Sequence, residues 1–333
     1  MVKKPTFKEV PVREAVGLVL PHDMTQILPG EFKGRLFKKG HVITEADIEP
    51  LLSIGKEHIY IMEMPEGHLH EDDAGIRIAQ AVAGKNLTLT EPYEGKVTLK
   101  STCLGLLKVK EEAIHAINAL EAIALATREN NQVVKPGDAV AAARIIPLII
   151  EEQRIAELES IARGFGEEIV TVMPFAPKRV GLVTTGGEVY SGRIQDKFGP
   201  AVRAKVEALG STVVEQRFAP DDKALIEQEI RYFVQQGVDL ILVTGGMSVD
   251  PDDRTPGAIA GAGAQVVRYG TPMLPGSMLL VAYIGDIPVL GLPGAVMHEP
   301  FTSFDVFLPR ILAGERIEEK DITRLGYGGL IKC

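Results

Sequence analysis

The hydrophobic pattern changes character near residue 177. Beyond it, short apolar runs alternate with amphipathic stretches. The runs are RVGLVTT (179–185), STVVEQRF (211–218), VDLILVT (238–244), AQVVRY (264–269), SMLLVAYI (277–284) and IPVLGL (287–292). A run apolar at consecutive positions, such as DLILV, suits a strand buried on both faces. Between the runs, GPAVRAKVEALG (199–210) and DKALIEQEIRYFVQQG (222–237) carry apolar residues at helical spacing and end in glycine stops, and an aspartate caps the second. TPGAIAGAG (255–263) predicts a short helix with Thr255 as cap and Pro256 as first residue. VMHEPFTSFDVFLPRILAG (296–314) predicts a closing helix with Pro300 in its first turn and Gly314 near its stop. SMLLVAYIGDIPVLGL has no helix inside it and predicts a hairpin turned at Gly285-Asp286. Strands alternating with helices predict an α/β domain over 177–314, a doubly wound and mostly parallel sheet, with 315–333 as a C-terminal tail.

Upstream the elements are smaller. Residues 1–64 read as an α+β module. Its strand-like runs are EAVGLVL (14–20), GRLFKKGHVI (34–43) and HIYIME (58–63), and 46–55 predicts a short helix closed by Gly55. PEGHLHEDDAG (65–75) reads as a solvated polar linker. Its His68, His70, Glu71 and Asp72 match no closed zinc spacing. A second α+β region and linker complete 65–176. In it, 76–84, 110–127 and 151–163 predict helices, while 91–101 and 135–150 predict turns followed by strands. His115 lies in the alanine-rich helix, as a packing or surface residue. Cys103 precedes an apolar run and reads as a small core residue. Two prolines in MPFAPKR (173–179) mark the passage into the last domain.

Composition narrows the function. The net charge of −9 supplies no global basic field for nucleic acid, and the absence of tryptophan makes a base-stacking surface unfavourable. No run approaches about 18 uncharged apolar residues, so no membrane helix is expected. The charged N-terminus lacks the apolar segment of a signal peptide. Two cysteines, Cys103 and Cys333, make no disulfide framework, and a reducing cytoplasmic setting is the simplest expectation.

In a doubly wound sheet, ligands bind beyond the carboxyl ends of the strands where strand order reverses. With an order of 2-1-3, that point lies between the first and third strands. Both are followed by glycine-bearing loops, TTGGEVYSGRIQDKFGP (184–200) and TGGMSVDPDDRTP (244–256). Glu188, Ser191, Asp196, Asp250, Asp252 and Asp253 would then share one crevice. A third loop, GLPGAVM (291–297), adds the Pro293-Gly294 turn at the same edge. Glycines let backbone amides approach phosphate closely, and one or two carboxylates with phosphate oxygens and water suit Mg²⁺. A purely structural set of turns is the alternative. The glycines match neither a Walker loop nor the G-x-G-x-x-G fingerprint, and no Ser-His-Asp or Cys-His nucleophile set stands out. His298, Arg193, Lys197 and Arg254 flank these loops and each reads more simply as a surface residue.

RVGLVTTGGEVYSGRIQDKFGPAV, VDLILVTGGMSVDPDDRTPGAI and VLGLPGAVM together resemble the molybdopterin-binding domain of molybdenum cofactor biosynthesis, over about 177–313. That domain is shared by adenylyltransferase and molybdenumtransferase types. The resemblance implies catalytic roles for Asp196 and Asp253. It implies a pterin-phosphate site at Thr185, Gly186, Glu188, Ser191, Thr244, Gly245, Gly246, Ser248, Pro293 and Gly294, and Mg²⁺ at Asp253 and Asp250. Molybdopterin is the implied ligand or substrate, with ATP or AMP and molybdate as further small molecules. Other cofactor-assembly proteins and a second copy of the chain are the implied partners. Gly187 stands where the family motif has Asp, and Ala295 and Val296 replace Asn-Pro, departures that leave a non-catalytic carrier or sensor as the alternative. A nucleotide-processing hydrolase and a plain scaffold rank below both.

Overall fold

A computed structural model describes residues 7–28, 32–62, 66–166, 168–248, 250 and 253–331. Asp252 and Cys333 lie outside the described residues. The chain forms two compact units. One takes residues up to 172 except 103–106 and 131–134, and the other takes those two stretches and everything from 173 onward.

In the first unit, Phe7–Pro11 pairs antiparallel with His58–Met62, and Met24–Leu28 pairs with Phe32–Phe37. Val12, Leu20, Ile43, Leu51 and Ile59 form the small core beside them. The run 14–20 turns at Gly17 instead of forming a strand, and only Val19 makes a bridge, to Val42. A four-stranded antiparallel sheet follows, in the order Leu87–Leu89, Val97–Ser101, Ala139–Ile145, Ile123–Thr127. Helix Glu71–Val82 packs against it and buries Ala74, Ile78 and Val82, the i, i+4, i+8 stripe of an amphipathic helix, with Gly75 close to Val97 of the sheet.

The structure corrects three expectations here. Residues 68–75 are no solvated linker: His68–His70 is a strand paired with Ile149–Glu151, and a helix begins at Glu71. His70 and Glu71 are buried, and the His70 ring caps this helix by accepting from the Asp72 amide. The helix expected over 110–127 ends at Asn118, and Ile123–Thr127 is a strand. The Asn118 side chain accepts from the Leu125 amide at 2.9 Å and donates to the Leu125 carbonyl at 2.8 Å, closing the chain back on itself. That local clamp outweighs the helical preference of alanine. Cys103 is half-buried and not a core residue.

The second unit is built on a six-stranded sheet. Its strands are β1 (Arg179–Thr185), β2 (Thr212–Ala219), β3 (Leu240–Thr244), β4 (Gln265–Tyr269), β5 (Leu280–Ile284) and β6 (Ile287–Leu292), in the order β2-β1-β3-β6-β5-β4. β2, β1, β3 and β6 are parallel, while β5 pairs antiparallel with both β6 and the edge strand β4. The β5–β6 hairpin turns at Gly285-Asp286. Its helices are α1 (Gly187–Tyr190), α2 (Phe198–Ala208), α3 (Lys223–Gln235), α4 (Thr255–Gly261), α5 (Ser303–Leu312) and α6 (Glu319–Thr323). Leu182, Leu242, Leu290, Val202 and Phe307 fill one face of the sheet, and Val183, Ile241, Val289, Ile230 and Ile259 the other. Two-sided burial explains why β1 and β3 read as unbroken apolar runs.

The closing helix starts later than expected. Thr302 caps α5 through a reciprocal bond with Asp305, which leaves Pro300 outside it. Thr255 is likewise the first residue of α4, with Arg254 at the cap position. Beyond α5, Ile317 and Ile322 belong to the core, and the nearly buried Arg310 pairs with Glu315 at 2.6 Å and Asp321 at 2.9 Å.

Candidate functional site

The strand order puts β1 between β2 and β3, so the chain reverses direction across the sheet at the β1/β3 pair. A cleft of about 870 Å³ opens beyond their carboxyl ends. It is lined from the β1 loop by Thr185, Gly186, Glu188, Asp196 and their neighbours, and from the β3 loop by Gly246, Asp250 and Asp253. Asp221, from the loop after β2, and Met297 and His298, after β6, complete it. Ser191, Thr244, Gly245, Ser248, Pro293 and Gly294 are not among its lining residues.

The two glycine loops touch. Gly245 has φ +88°, and a Cβ there would lie 2.3 Å from the Thr185 carbonyl oxygen. Gly246, at φ +54°, lies against the hydroxyl of Thr255, which donates to the Gly245 carbonyl at 2.8 Å. Thr255 also bonds the Thr185 hydroxyl at 3.2 Å. Only glycine fits this approach, in conformation and in space. Thr244 is fully buried, and its hydroxyl donates inward to that of Thr184 at 3.2 Å. It therefore meets the cleft edge through its main chain alone. The Ser191 hydroxyl donates back to the Glu188 carbonyl at 3.3 Å.

Asp196 is held by its surroundings. Its carboxylate accepts from the amides of Phe198 and Gly199 at 2.9 and 3.0 Å and from the Gln216 side chain at 2.6 Å. It caps α2, so those first amides already have an anionic partner. Asp253 closes a turn: its carboxylate accepts from the Asp250 amide at 3.0 Å, and its own amide donates to the Asp250 carbonyl at 2.9 Å. One wall of the cleft is apolar, with Val189, Ile194, Phe198 and Met297. The lining also carries five carboxylates, Glu188, Asp196, Asp221, Asp250 and Asp253, with Lys197 and His298 as its basic residues. None of these carboxylates has an ion-pair partner among the described residues. Arg193 and Arg254 are exposed and outside the lining.

Residues 181–313 match the family model described as a probable molybdopterin binding domain. This domain belongs to the molybdopterin-binding family. Residues 9–63 match a separate model, a domain of unknown function (DUF8806). Among curated proteins, a CinA-like protein of Mycobacterium tuberculosis (strain ATCC 25177 / H37Ra) is 39% identical over 82 residues, 25% of this chain and 19% of that protein. The chain thus spans about a fifth of the length of the curated relatives it matches. Among solved structures, the molybdopterin biosynthesis enzyme MoaB of Thermus thermophilus is 25% identical, with a TM-score of 0.35, over 41% of this chain and 98% of that one. The molybdopterin biosynthesis MoeA protein of Pyrococcus horikoshii is 16% identical, with a TM-score of 0.35, over 93% of this chain and 75% of that one.

Two residues of the molybdopterin-binding domain escape a sequence reading. Asp221 follows β2, a strand outside the reversal pair, yet its carboxylate accepts from the Gly187 amide at 2.8 Å. Reading the carboxyl edge of β2 as well would have found it. Tyr269, at the end of β4, reaches the β3 loop, and no local motif announces that contact. In the first unit, the ligand atoms of His70, Glu71 and Asp72 lie within 4.8 Å of one another, the one such trio among the described residues. They are already satisfied. The His70 ring donates to the Pro21 carbonyl and accepts from the Asp72 amide, while Asp72 pairs with Lys39 at 3.4 Å and Glu71 with Arg144 at 4.0 Å.

Proposed function

We propose that the cleft beyond β1 and β3 binds molybdopterin and works on its terminal phosphate, as an enzyme of molybdenum cofactor assembly. The observation that carries this reading is the meeting of the two glycine loops over one cleft, inside the segment that matches the molybdopterin-binding family. Gly186 and Gly246 bring main chain to the phosphate without an intervening Cβ, and Gly245 lets the two loops close on each other. Thr185, Ser191, Thr244, Ser248 and the Pro293-Gly294 turn hold or extend the same edge. The apolar wall takes the planar ring system.

An anion facing five carboxylates needs a bridging cation, since like charges a few ångströms apart repel. The donor set fits Mg²⁺. Asp250 and Asp253 offer only hard carboxylate oxygens, which suits an ion that takes one or two carboxylates and completes its shell with phosphate and water. Asp253, with Asp250 beside it, would hold that ion, and the ion would neutralise phosphate charge. Asp196 would keep α2 and the loop before it in place beside the reacting phosphate, and Glu188 the opposite rim. In adenylyl transfer, a terminal phosphate oxygen of the pterin bonds to the α-phosphorus of ATP and the bond to pyrophosphate breaks. In molybdenum insertion, water attacks the α-phosphorus of the adenylylated pterin, AMP leaves and the terminal phosphate stays with the pterin, while the two pterin sulfurs replace two oxygens of molybdate, which leave as water. Both rest on positioning and charge compensation, with no covalent enzyme intermediate.

Gly187, Ala295 and Val296 depart from the family motifs and favour a second reading, a carrier that binds pterin without turnover. Native mass spectrometry of the anaerobic protein with molybdopterin, with and without MgCl₂ and ATP, tests both. The leading reading expects a Mg²⁺-dependent pterin adduct and release of pyrophosphate or AMP. An adduct with no nucleotide turnover selects the carrier, and no adduct under any condition overturns both.

A further inference from the structure

Tyr269 ends β4, the antiparallel edge strand, and pairs there with Leu280. Its hydroxyl points across to the loop after β3. It donates to the Met247 carbonyl at 2.7 Å, and the Ser248 carbonyl lies 3.3 Å away. The loop is anchored up to this point. Thr244 is buried, Gly245 and Gly246 are fixed by Thr185 and Thr255, and the Met247 side chain is buried against Gly291 of β6. Asp250 and Asp253 come next in the described chain and bond to each other. Among the described residues, the Tyr269 hydroxyl is the side-chain contact that holds the loop main chain just before them.

We propose that Tyr269 is a positioning residue of the cleft: it holds the main chain at Met247 and Ser248 and so sets where the Asp250–Asp253 turn presents its carboxylates. Tyr269 does not line the cleft and acts through the loop. Its phenol is a donor at neutral pH, and burial first and the nearby charge of Asp253 second push its pKa further up. The link to ligand binding rests on the function proposed above, whereas the hold on the loop does not.

The test separates the two. Tyr269→Phe keeps the ring and removes only the hydroxyl. Arg254 is exposed at the end of the loop, so tryptic cleavage after it reports loop opening in ligand-free protein. The variant is expected to be cut there at least several-fold faster, with the thermal midpoint of the protein nearly unchanged. The second readout is a titration with MgCl₂ alone, followed by tyrosine absorbance in a chain that has no tryptophan. The midpoint is expected to rise about tenfold, and Tyr269→Phe is expected to add little once Asp253→Asn is present. Equal cleavage rates for variant and wild type overturn the proposal whatever the protein binds. Faster cleavage with a wild-type protein that shows no Mg²⁺ response supports the latch and counts against the proposed function. Additive effects of the two substitutions assign Tyr269 a general structural role and overturn the positioning role.

Discussion

The Asp221 carboxylate accepts a hydrogen bond from the Gly187 amide at 2.8 Å, and a Cβ built on Gly187 would lie 3.6 Å from it. A side chain from the β2 loop therefore occupies the space beside a residue that has none. Asp221→Ala is expected to weaken Mg²⁺ response about tenfold, roughly 1.4 kcal/mol. Adding Gly187→Asp should restore much of it, because Gly187 has an ordinary φ and open contact distance. A double variant no better than Asp221→Ala would separate the two positions functionally.

Gly245 and Gly186 should differ in tolerance. Both have positive φ, +88° and +135°, but only Gly245 would drive a Cβ into backbone. Gly245→Ala is expected to cost about 3 kcal/mol and Gly186→Ala about 1–2 kcal/mol. Urea unfolding monitored by circular dichroism gives both, and the opposite ranking would contradict the close approach of the two loops.

Asp253 and Asp196 should separate activity from stability. Asn at 253 keeps an acceptor for the Asp250 amide, so Asp253→Asn should fold normally and lose turnover. Asp196→Ala removes a helix cap and a partner of Gln216, and is expected to cost about 1–2 kcal/mol as well. Paired thermal melts and turnover assays check this. Full activity in Asp253→Asn would remove that residue from the mechanism.

The first unit should weaken in acid. Burial is the main reason His70 titrates below its ordinary 6.5, followed by Lys39, while the Pro21 carbonyl, Asp72 and Asp73 oppose it. His22 is lowered by burial, then Lys56 and His70, against Asp23, and its buried Nδ1 has no hydrogen-bond partner among the described residues. Both rings bind protons more readily once unfolded. The unfolded chain therefore gains protons as pH falls below about 6.5, and stability falls with it. Glu71, raised chiefly by burial, has the opposite sign and partly offsets the loss. The thermal midpoint is expected to drop as pH falls below about 6.5, and to drop less in His22→Asn. Calorimetry across that range decides it, and a flat midpoint would remove the two histidines from the acid response.

The β/α alternation was legible because strands covered on both faces carry apolar residues at every position, as in Leu240–Thr244. The reversal point followed from it, and with it the two loops that form the cleft. What could not be read were contacts made across the fold. Asp221 meets Gly187 from 34 positions away, and Tyr269 meets Met247 from 22. The Asn118 clamp hid a strand inside an alanine-rich stretch, and the polar 68–73 segment concealed a buried junction because caps and linkers use the same residue types.

Arg310 bears on where the domain ends. Its two carboxylate partners, Glu315 and Asp321, lie beyond residue 313, where the family match stops. A fragment cut at that boundary would strip Arg310 of both counter-charges and uncover the apolar surface that Ile317 and Ile322 cover. A piece that keeps this packing runs through α6, so the residues after 313 are part of the domain's own foundations.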